Sequence, residues 1–233
     1  MAFKDGDFLM VEYSAWGAPD NSLIDTTDAE VAKKASAYDE KRSYGAVLAI
    51  LGSSTLLKGL DRELRGMSVN EKKKFTFKPE EAFGQKDPNL IHTVSKSDFR
   101  ANGVDPEPGM RVTVEGARGT IRSVSGGRVV VDLNHPYAGR DVTYEVKITK
   151  FIDKDNEKIE ALGAAYGAKP TAVSVTDGSA EITFDSSVKK SAEYFISKSS
   201  LVEAILKHLP LLQSVNVHEE YKRADATEKA ASE

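Results

Sequence analysis

The alternation of apolar and polar residues in segment 142–152, which reads VTYEVKITKFI, constrains the fold more than any other feature. Side chains of a strand point alternately to its two faces, so this segment is predicted to be a long strand with one buried face. Segments 7–16 and 72–78 alternate in a similar way, and Pro79 ends the second. They are predicted to be two further strands, which makes a β-sheet the central element of the fold.

A further strand and two helices are expected between these strands. Residues 46–51 form a continuous apolar run that is typical of a buried strand. In segment 56–64 leucines recur at spacings of three and four, which is the pattern of a helix with one buried face. A second, short and exposed helix is predicted over 28–35, capped by Thr27 or Asp28.

After Gly84 the sequence changes character and becomes rich in turn-forming residues. Segments 111–115, 119–124 and 128–132 are predicted to be three antiparallel strands joined by glycine-containing turns. We therefore expect a small β-rich domain over residues 86–136.

The charged segment 153–158 contains no apolar residue and is predicted to separate a C-terminal domain from the rest of the chain. The pattern beyond it is helix, strand, strand, helix, strand, with elements at 159–166, 172–176, 179–184, 199–208 and 214–221. This α+β domain is expected to occupy residues 154–225. The last residues, 226–233, are predicted to be a disordered tail.

The composition excludes several classes of protein. The chain has no cysteine, which excludes disulfides, thiolate nucleophiles and cysteine-bound metal sites and is compatible with a cytoplasmic location. No apolar run reaches the ~18 residues that span a bilayer, and the N-terminus is charged too early for a signal peptide. We expect a cytoplasmic chain that does not associate with a membrane.

The net charge and the absence of common motifs argue against several further functions. The net charge of −4 gives no broad attraction for nucleic acid, and the four histidines are scattered without the spacing of a metal site. The chain contains no Gly-x-Ser-x-Gly, P-loop, Gly-x-Gly-x-x-Gly or His-Glu-x-x-His motif. No nucleic acid, metal or cofactor is therefore expected. What remains is a set of apolar and aromatic residues around one carboxylate, which favours a concave ligand pocket.

Several short motifs occur together in a fixed order. They are Tyr13, Ile24-Asp25, Leu51-Gly52-x3-Leu56-Leu57-x-Gly59-Leu60, Ala82-Phe83-Gly84, Asn134-His135-Pro136-x-Ala138-Gly139 and Tyr144. In this order the chain resembles the FKBP-type peptidyl-prolyl cis–trans isomerases, and specifically the SlyD-like branch with a domain inserted in the flap. The resemblance covers residues 1–152. The remaining segment is similar to the C-terminal extension of the long archaeal members, in which it is associated with dimerisation.

The resemblance implies an α+β fold in which an antiparallel β-sheet wraps around a short helix. The isomerase domain would comprise residues 1–85 and 137–153. A β-rich insert-in-flap chaperone domain over 86–136 would interrupt it, and the C-terminal α-β-β-α-β domain would follow. A homodimer formed through this last domain is a further expectation.

The resemblance also implies a pocket for the prolyl ring. Leu60 would form the floor, where many relatives have Trp, and Leu57 would offer its backbone N–H to a substrate carbonyl. Tyr13 and Asp25 would form a polar edge. Four further side chains would contact the substrate around the ring, namely Ile24, Val47, Leu56 and Tyr144. Without the resemblance, leucines at this spacing are by default the buried face of a helix.

One position departs from the family pattern. Where relatives commonly have Tyr, with a hydroxyl that can donate to a substrate carbonyl, this chain has Phe83. A neutral hydrogen bond contributes ~0.5–1.5 kcal/mol net, so reduced rather than abolished turnover is expected. The smaller Leu60 floor should weaken the binding of bulky macrolides.

In SlyD-like relatives the inserted domain binds unfolded chains. The apolar residues Ile91, Phe99 and Met110 are therefore expected to contact unfolded substrate; the alternative is that they form the core of a small domain. The predicted function is isomerisation of X-Pro bonds in folding, proline-containing polypeptides, assisted by the chaperone domain. The alternatives are a non-catalytic holdase with a degenerate pocket, and a dimeric scaffold that recognises one proline-containing partner without turnover.

Overall fold

A computed structural model describes residues 2–53, 56–185 and 191–219. In chain order its elements are β1 (Phe8–Gly17), β2 (Ser22–Thr26), α1 (Ala29–Lys34), β3 (Val47–Ile50), α2 (Lys58–Arg65), β4 (Lys72–Phe77), β5 (Ile91–Ser95), α3 (Lys96–Ala101), β6 (Arg111–Val114), β7 (Ala117–Ser125), β8 (Arg128–Asp132), β9 (Val142–Ile152), α4 (Asp155–Ala165), β10 (Ala172–Thr176), β11 (Ser179–Phe184), α5 (Ala192–His208) and β12 (Ser214–Glu219). Short 3-10 turns, Pro79–Glu81 and Pro88–Leu90, follow β4.

The first sheet is antiparallel and has the strand order β2-β1-β9-β4. Strand β3 pairs with the first half of β1, from Phe8 to Val11, and β2 pairs with its second half. The alternating residues of β1 and β9 bury one face of this sheet against Leu60 and Leu64 of α2. The helix approaches so closely that a Cβ on Gly59 would lie 2.5 Å from Cδ1 of Phe77, so only glycine fits there. A sheet wrapped around a short helix is thus the framework of the site.

The second sheet is formed by residues between β4 and β9 and has the order β5-β8-β7-β6. Its core consists of Phe99, Ile121, Val129 and Val131. The sequence predicted three of these strands but not β5, which is short and follows a turn-rich segment. Its pairing with β8 stabilises it as a strand, from Ile91 opposite Asp132 to Ser95 opposite Arg128.

The third sheet has the order β10-β11-β12, and β11 and β12 are parallel with α5 as the crossover. Helices α4 and α5 contribute Ile159, Leu201 and Ile205 to its core. The same hydrophobic core includes Phe8 and Ile152, which belong to the other face of the first sheet. The C-terminal elements therefore share a continuous core with the first sheet.

Two helices begin earlier than the sequence predicted. Helix α5 starts at Ala192 instead of residue 199, because the Ser191 hydroxyl caps it by accepting from the Tyr194 N–H at 3.2 Å. Helix α4 starts at Asp155 instead of residue 159, so most of the charged segment 153–158 belongs to its first turn. The predicted cap Asp28 is confirmed, since its carboxylate accepts from the N–H groups of Glu30 and Val31.

Strand β12 ends at Glu219 among the described residues, whereas the sequence predicted a strand to residue 221. Residues 220–221 and the predicted tail 226–233 lie outside the described residues. No helix among the described residues is long and apolar enough to cross a membrane.

Candidate functional site

The buried face of the first sheet and the start of α2 bring most of the predicted pocket residues together. Leu60 and Tyr144 are buried in the core of this unit, with 4% and 8% of their surface exposed. Partly buried side chains pack against that core at its edge, and they include Tyr13, Ile24, Leu56, Leu57 and Phe83. Val47 is different, because it is 39% exposed and does not belong to the cluster.

The polar edge of the site is a hydrogen-bonded group centred on Asp25. The Tyr13 hydroxyl donates to Oδ2 of Asp25 at 2.5 Å, and Nη1 of Arg42 donates to Oδ1 at 2.5 Å. The backbone N–H of Thr26 also donates to Oδ1, at 2.9 Å. Both carboxylate oxygens therefore have partners, which fixes the orientation of Asp25 toward Tyr13.

These contacts shift the ionisation of both groups. Partial burial by itself would raise the pKa of Asp25, but the hydrogen bonds from Arg42 and Tyr13 outweigh it and the pKa is lowered. Burial raises the pKa of Tyr13 well above its ordinary value, and the hydrogen bond to Asp25 raises it further. Near neutral pH the site therefore holds a carboxylate and a protonated phenol.

Arg42 was not identified from the sequence. It lies in the segment between α1 and β3, for which no role was predicted. Its guanidinium carbon lies 5.5 Å from the ring centroid of Tyr44, which in turn stacks on Tyr38 with centroids 5.2 Å apart. The only signal in the sequence is that Arg42 is close to two tyrosines. This pattern is common on protein surfaces, so it does not by itself predict a cation–π contact or a site residue.

Leu57 directly precedes α2 and has an extended backbone, with φ −61° and ψ 139°. Its carbonyl accepts from the Asp61 N–H at 2.9 Å. Within the part of the chain that the structure describes, its own N–H donates to no protein acceptor. The first N–H groups of a helix have no partner inside the helix, so this donor is available to a ligand.

Tyr144 lies on the central strand β9, opposite Ala15 of β1 and Phe75 of β4. Its ring centroid is 5.7 Å from that of Tyr13 and 6.1 Å from that of Phe77. Burial raises its pKa to about 12, and the negative charge of Asp25 contributes to the shift. Tyr144 is thus a protonated phenol within the electrostatic field of the Asp25 carboxylate.

Phe83 stacks on His135, with ring centroids 4.2 Å apart and planes inclined by 11°. Tyr137 completes this aromatic group, since its centroid is 5.8 Å from Phe83 and 5.9 Å from His135. The Tyr137 N–H donates to Nδ1 of His135 at 3.3 Å, and burial lowers the pKa of the imidazole. The sequence identified the motif at 134–139 only as the return from the inserted domain. It did not predict that this motif contacts Phe83.

The connections to the second sheet are held by Asn134. Its side-chain oxygen accepts from the Asp87 N–H at 2.8 Å, and its Nδ2 donates to the Asp87 carbonyl at 3.0 Å. Nδ2 also donates to Oδ1 of Asp132 at 2.8 Å. Asn134 therefore joins the chain entering the second sheet to the chain leaving it.

A cavity of about 570 Å³ lies on the second sheet beside its edge strand β6. Its lining is mainly apolar and includes Val94, Phe99, Val104, Met110, Val112 and Val114. Of the three predicted contacts, Phe99 and Met110 line this cavity, whereas Ile91 lies on β5 and does not. Among the described residues, no three histidine, aspartate or glutamate side chains are grouped as a metal site would require.

Comparisons with known proteins identify the family to which this fold and this site belong. Residues 1–100 match the family model of FKBP-type peptidyl-prolyl cis-trans isomerase, and residues 94–137 match the model described as FKBP26, IF domain. The chain belongs to the family of FKBP-type peptidyl-prolyl cis–trans isomerases. The IF domain match fits an insert-in-flap arrangement, so the resemblance to the SlyD-like branch is confirmed.

Proteins from archaea and bacteria are similar in sequence to this chain. The "Short-type peptidyl-prolyl cis-trans isomerase" of Methanocaldococcus jannaschii is 32% identical over 62% of this chain and 91% of its own length. The "FKBP-type 16 kDa peptidyl-prolyl cis-trans isomerase" of Escherichia coli is 35% identical over 42% of this chain and 68% of its length. The SlyD isomerase of Haemophilus influenzae is 34% identical over 56% and 70%, respectively.

Proposed function

We propose that this protein accelerates the rotation of X-Pro bonds by binding the proline in the cluster around Leu60. One observation carries this proposal. The Tyr13–Asp25 pair, the buried Leu60 and Tyr144, and the N–H of Leu57, which has no acceptor among the described residues, surround the same buried face of the first sheet. An apolar site with one ordered carboxylate and an available backbone donor suits a proline-containing peptide.

The chemistry of X-Pro rotation requires no nucleophile. The barrier of roughly 18–20 kcal/mol arises from amide resonance, which is lost as the bond twists. Twisting moves electron density from the carbonyl oxygen onto the nitrogen. A site that excludes water and fits the twisted amide better than the planar one lowers this barrier by differential binding.

Each site residue then has a role. Leu60 supports the prolyl ring from below, and the side chains of Ile24, Leu56, Phe83 and Tyr144 surround it. The N–H of Leu57 donates to a substrate carbonyl and fixes the register of the peptide. Asp25 orients Tyr13 through the 2.5 Å hydrogen bond and itself remains ionised. Val47, which is exposed on β3, contacts only the outer part of a longer substrate.

We further propose that residues 86–136 bind unfolded polypeptides and deliver them to the isomerase site. The cavity beside β6 offers an apolar surface to extended chains, and Phe99 and Met110 lie on it. The free edge of β6 gives such a chain backbone hydrogen-bonding groups to pair with. Because binding here holds the substrate near the prolyl pocket, its effective concentration at the pocket rises.

Two expectations about the whole protein stay predictions. A homodimer through residues 154–225 is favoured by exposed apolar side chains on and after α5, among them Ile196 and Leu211. Light scattering at tens of micromolar tests it, and a strict monomer would remove it. A cytoplasmic location rests on the absence of cysteine from the sequence.

The deciding experiment is NMR exchange spectroscopy on a short Ala-Leu-Pro-Phe peptide with substoichiometric protein. Faster cis–trans exchange with the native chain and slower exchange with Asp25→Ala are expected. Arg100→Ala, which removes an exposed ion pair between α3 and Asp105, serves as the control. If the native protein leaves exchange unchanged but suppresses aggregation of an unfolded protein, the holdase alternative is correct. That alternative is motivated by Phe83 and Leu60, the two departures from the family pocket.

A further inference from the structure

One buried residue of the pocket has a hydroxyl for which the described part of the chain supplies no partner. Tyr144 is 8% exposed, and within residues 2–53, 56–185 and 191–219 its hydroxyl makes no hydrogen bond. The neighbouring Tyr13 differs, because its hydroxyl is satisfied by Asp25 at 2.5 Å. Buried polar groups almost always have a partner, so an unpaired one at a binding site requires an explanation.

The hydroxyl of Tyr144 is not sealed in the protein. Among the described residues, no side-chain oxygen or nitrogen is both fully inaccessible and unpaired. The hydroxyl oxygen of Tyr144 therefore keeps some access to the outside, although nine-tenths of the residue is covered. Val142, Val146 and Ile148, its neighbours on the same face of β9, are buried in the core that surrounds Leu60. The ring of Tyr144 lies between those of Tyr13 and Phe77, and its phenol interacts electrostatically with Asp25, so the accessible hydroxyl lies near the polar edge of the pocket.

The same pocket lacks a donor at position 83. Phe83 has no hydroxyl, and its ring is occupied by the stack on His135. Tyr144 can replace that donor because it remains protonated at neutral pH, a property supported by its burial and by the charge of Asp25. Tyr137 and His135 also carry polar atoms near Phe83, but both are more exposed than Tyr144 and water can satisfy them.

We propose that the Tyr144 hydroxyl donates a hydrogen bond to a backbone carbonyl of the bound peptide, in place of the donor that Phe83 lacks. This inference rests on the proposed isomerase function. The carbonyl is one that flanks the X-Pro bond rather than the rotating carbonyl itself. A donor on the rotating carbonyl would stabilise the planar, resonance-stabilised amide and slow its rotation.

A hydrogen bond to a flanking carbonyl has a specific kinetic consequence. A hydrogen bond made equally to the planar and the twisted substrate contributes uniform binding, which lowers KM and leaves kcat unchanged. Tyr144→Phe should therefore raise KM for a short Pro peptide by roughly 2- to 12-fold, the range expected for one neutral hydrogen bond, at constant kcat. Phe83→Tyr should restore the lost affinity in the Tyr144→Phe protein and should have a smaller effect in the native protein.

The test is a double-mutant cycle on the full chain, using the native protein, Tyr144→Phe, Phe83→Tyr and the combined variant. NMR line-shape analysis of one Pro peptide gives both its affinity and its exchange rate, so the hydroxyl is tested even without turnover. Tyr166→Phe, an exposed tyrosine following α4, is the matched control. Equal melting temperatures establish that folding is unaffected.

The outcomes are distinct. Loss of affinity in Tyr144→Phe and its recovery on adding Phe83→Tyr support the inference. Unchanged affinity in Tyr144→Phe overturns it, and loss of affinity in Tyr137→Phe or His135→Phe instead would assign the donor to the aromatic group. A fall in kcat at constant KM also overturns it. A native protein that binds the peptide but does not accelerate exchange contradicts the isomerase function and not this inference.

Discussion

The guanidinium of Arg42 lies 2.5 Å from the Asp25 carboxylate, at the polar edge of the proposed prolyl pocket. The two residues are 17 positions apart, and the segment between them includes α1. Asp25 also accepts from Tyr13 through its other oxygen. The segment before β3 therefore contributes a residue that orients the only carboxylate in the predicted site.

Arg42→Ala should raise the pKa of Asp25, because the hydrogen bond and positive charge that favour the carboxylate are removed. In the native protein the pKa is lowered, so the contribution of Asp25 to stability is present above the unfolded pKa and is lost as the pH falls through the folded pKa. The variant should therefore lose activity and stability at a higher pH than the native protein on the acid side. The ¹³C shift of the Asp25 carboxyl, followed by NMR titration, measures this directly. Arg100→Ala is the control, and an unchanged titration in Arg42→Ala would contradict the prediction.

Tyr13→Phe should leave the pocket shape intact but free one oxygen of Asp25. One hydrogen bond to an ionised acceptor contributes about 1.5–3 kcal/mol, so a clear loss of stability at pH 7 is expected. The pKa of Asp25 should rise as well, since Tyr13 is one of the groups that lower it. Urea denaturation at pH 7 and pH 3 checks both points, because the loss should shrink at the lower pH. An equal loss at both pH values would contradict the role of Asp25.

Asn134→Ala should loosen the second sheet from the first. The change leaves the N–H and carbonyl of Asp87 without their side-chain partner; because Asp87 is exposed, water replaces part of these bonds and a loss of about 0.5–1.5 kcal/mol is expected. Catalysis should fall more on an unfolded protein substrate than on a short peptide, because only the former needs the inserted domain in place. Asn216→Ala, which removes the side-chain bonds to Ser179 and Glu181 in the third sheet, is the matched control. Equal losses on both substrates would reject this role.

Met110→Gln should reduce the suppression of aggregation without affecting turnover of a short peptide. Glutamine has nearly the shape of methionine, but it places an amide on the apolar wall of the 570 Å³ cavity. Light scattering of an unfolded client protein measures the effect. Val69→Gln, which alters an exposed apolar residue between α2 and β4, is the control. Equal effects of the two variants would mean that the cavity is not the client site.

Phe8→Ala should destabilise the first sheet and the C-terminal domain together. Phe8 is fully buried in the core that also contains Ile159 and Ile182, and its ring meets His208 edge-on at 6.4 Å. Removing a buried phenylalanine costs about 3–5 kcal/mol. Calorimetry should show one transition for both parts, shifted to lower temperature. Phe151→Ala, on the partly exposed end of the same sheet, should cost less, and two independent transitions would contradict the shared core.

The sequence predicted the parts of the fold that depend on local patterns. Alternation identified β1, β4 and β9, because in each of them alternate side chains pack into the core around α2. It failed at β5, a strand of five residues that is held mainly by its pairing with β8. It also placed the start of α5 too late, since the first turns of this helix are mostly exposed and show no buried apolar stripe.

The ordered motifs were sufficient to predict the family, and the structure brings most of the proposed pocket residues together because a sheet wrapped on α2 carries them to one face. They could not predict what surrounds those residues. The pairing of Arg42 with Asp25, the stack of Phe83 on His135 and the unpaired hydroxyl of Tyr144 each depend on contacts between distant segments. The packing of Phe8 into the core of the C-terminal domain also depends on contacts between distant segments. No local period encodes such contacts, so only the tertiary structure decided them.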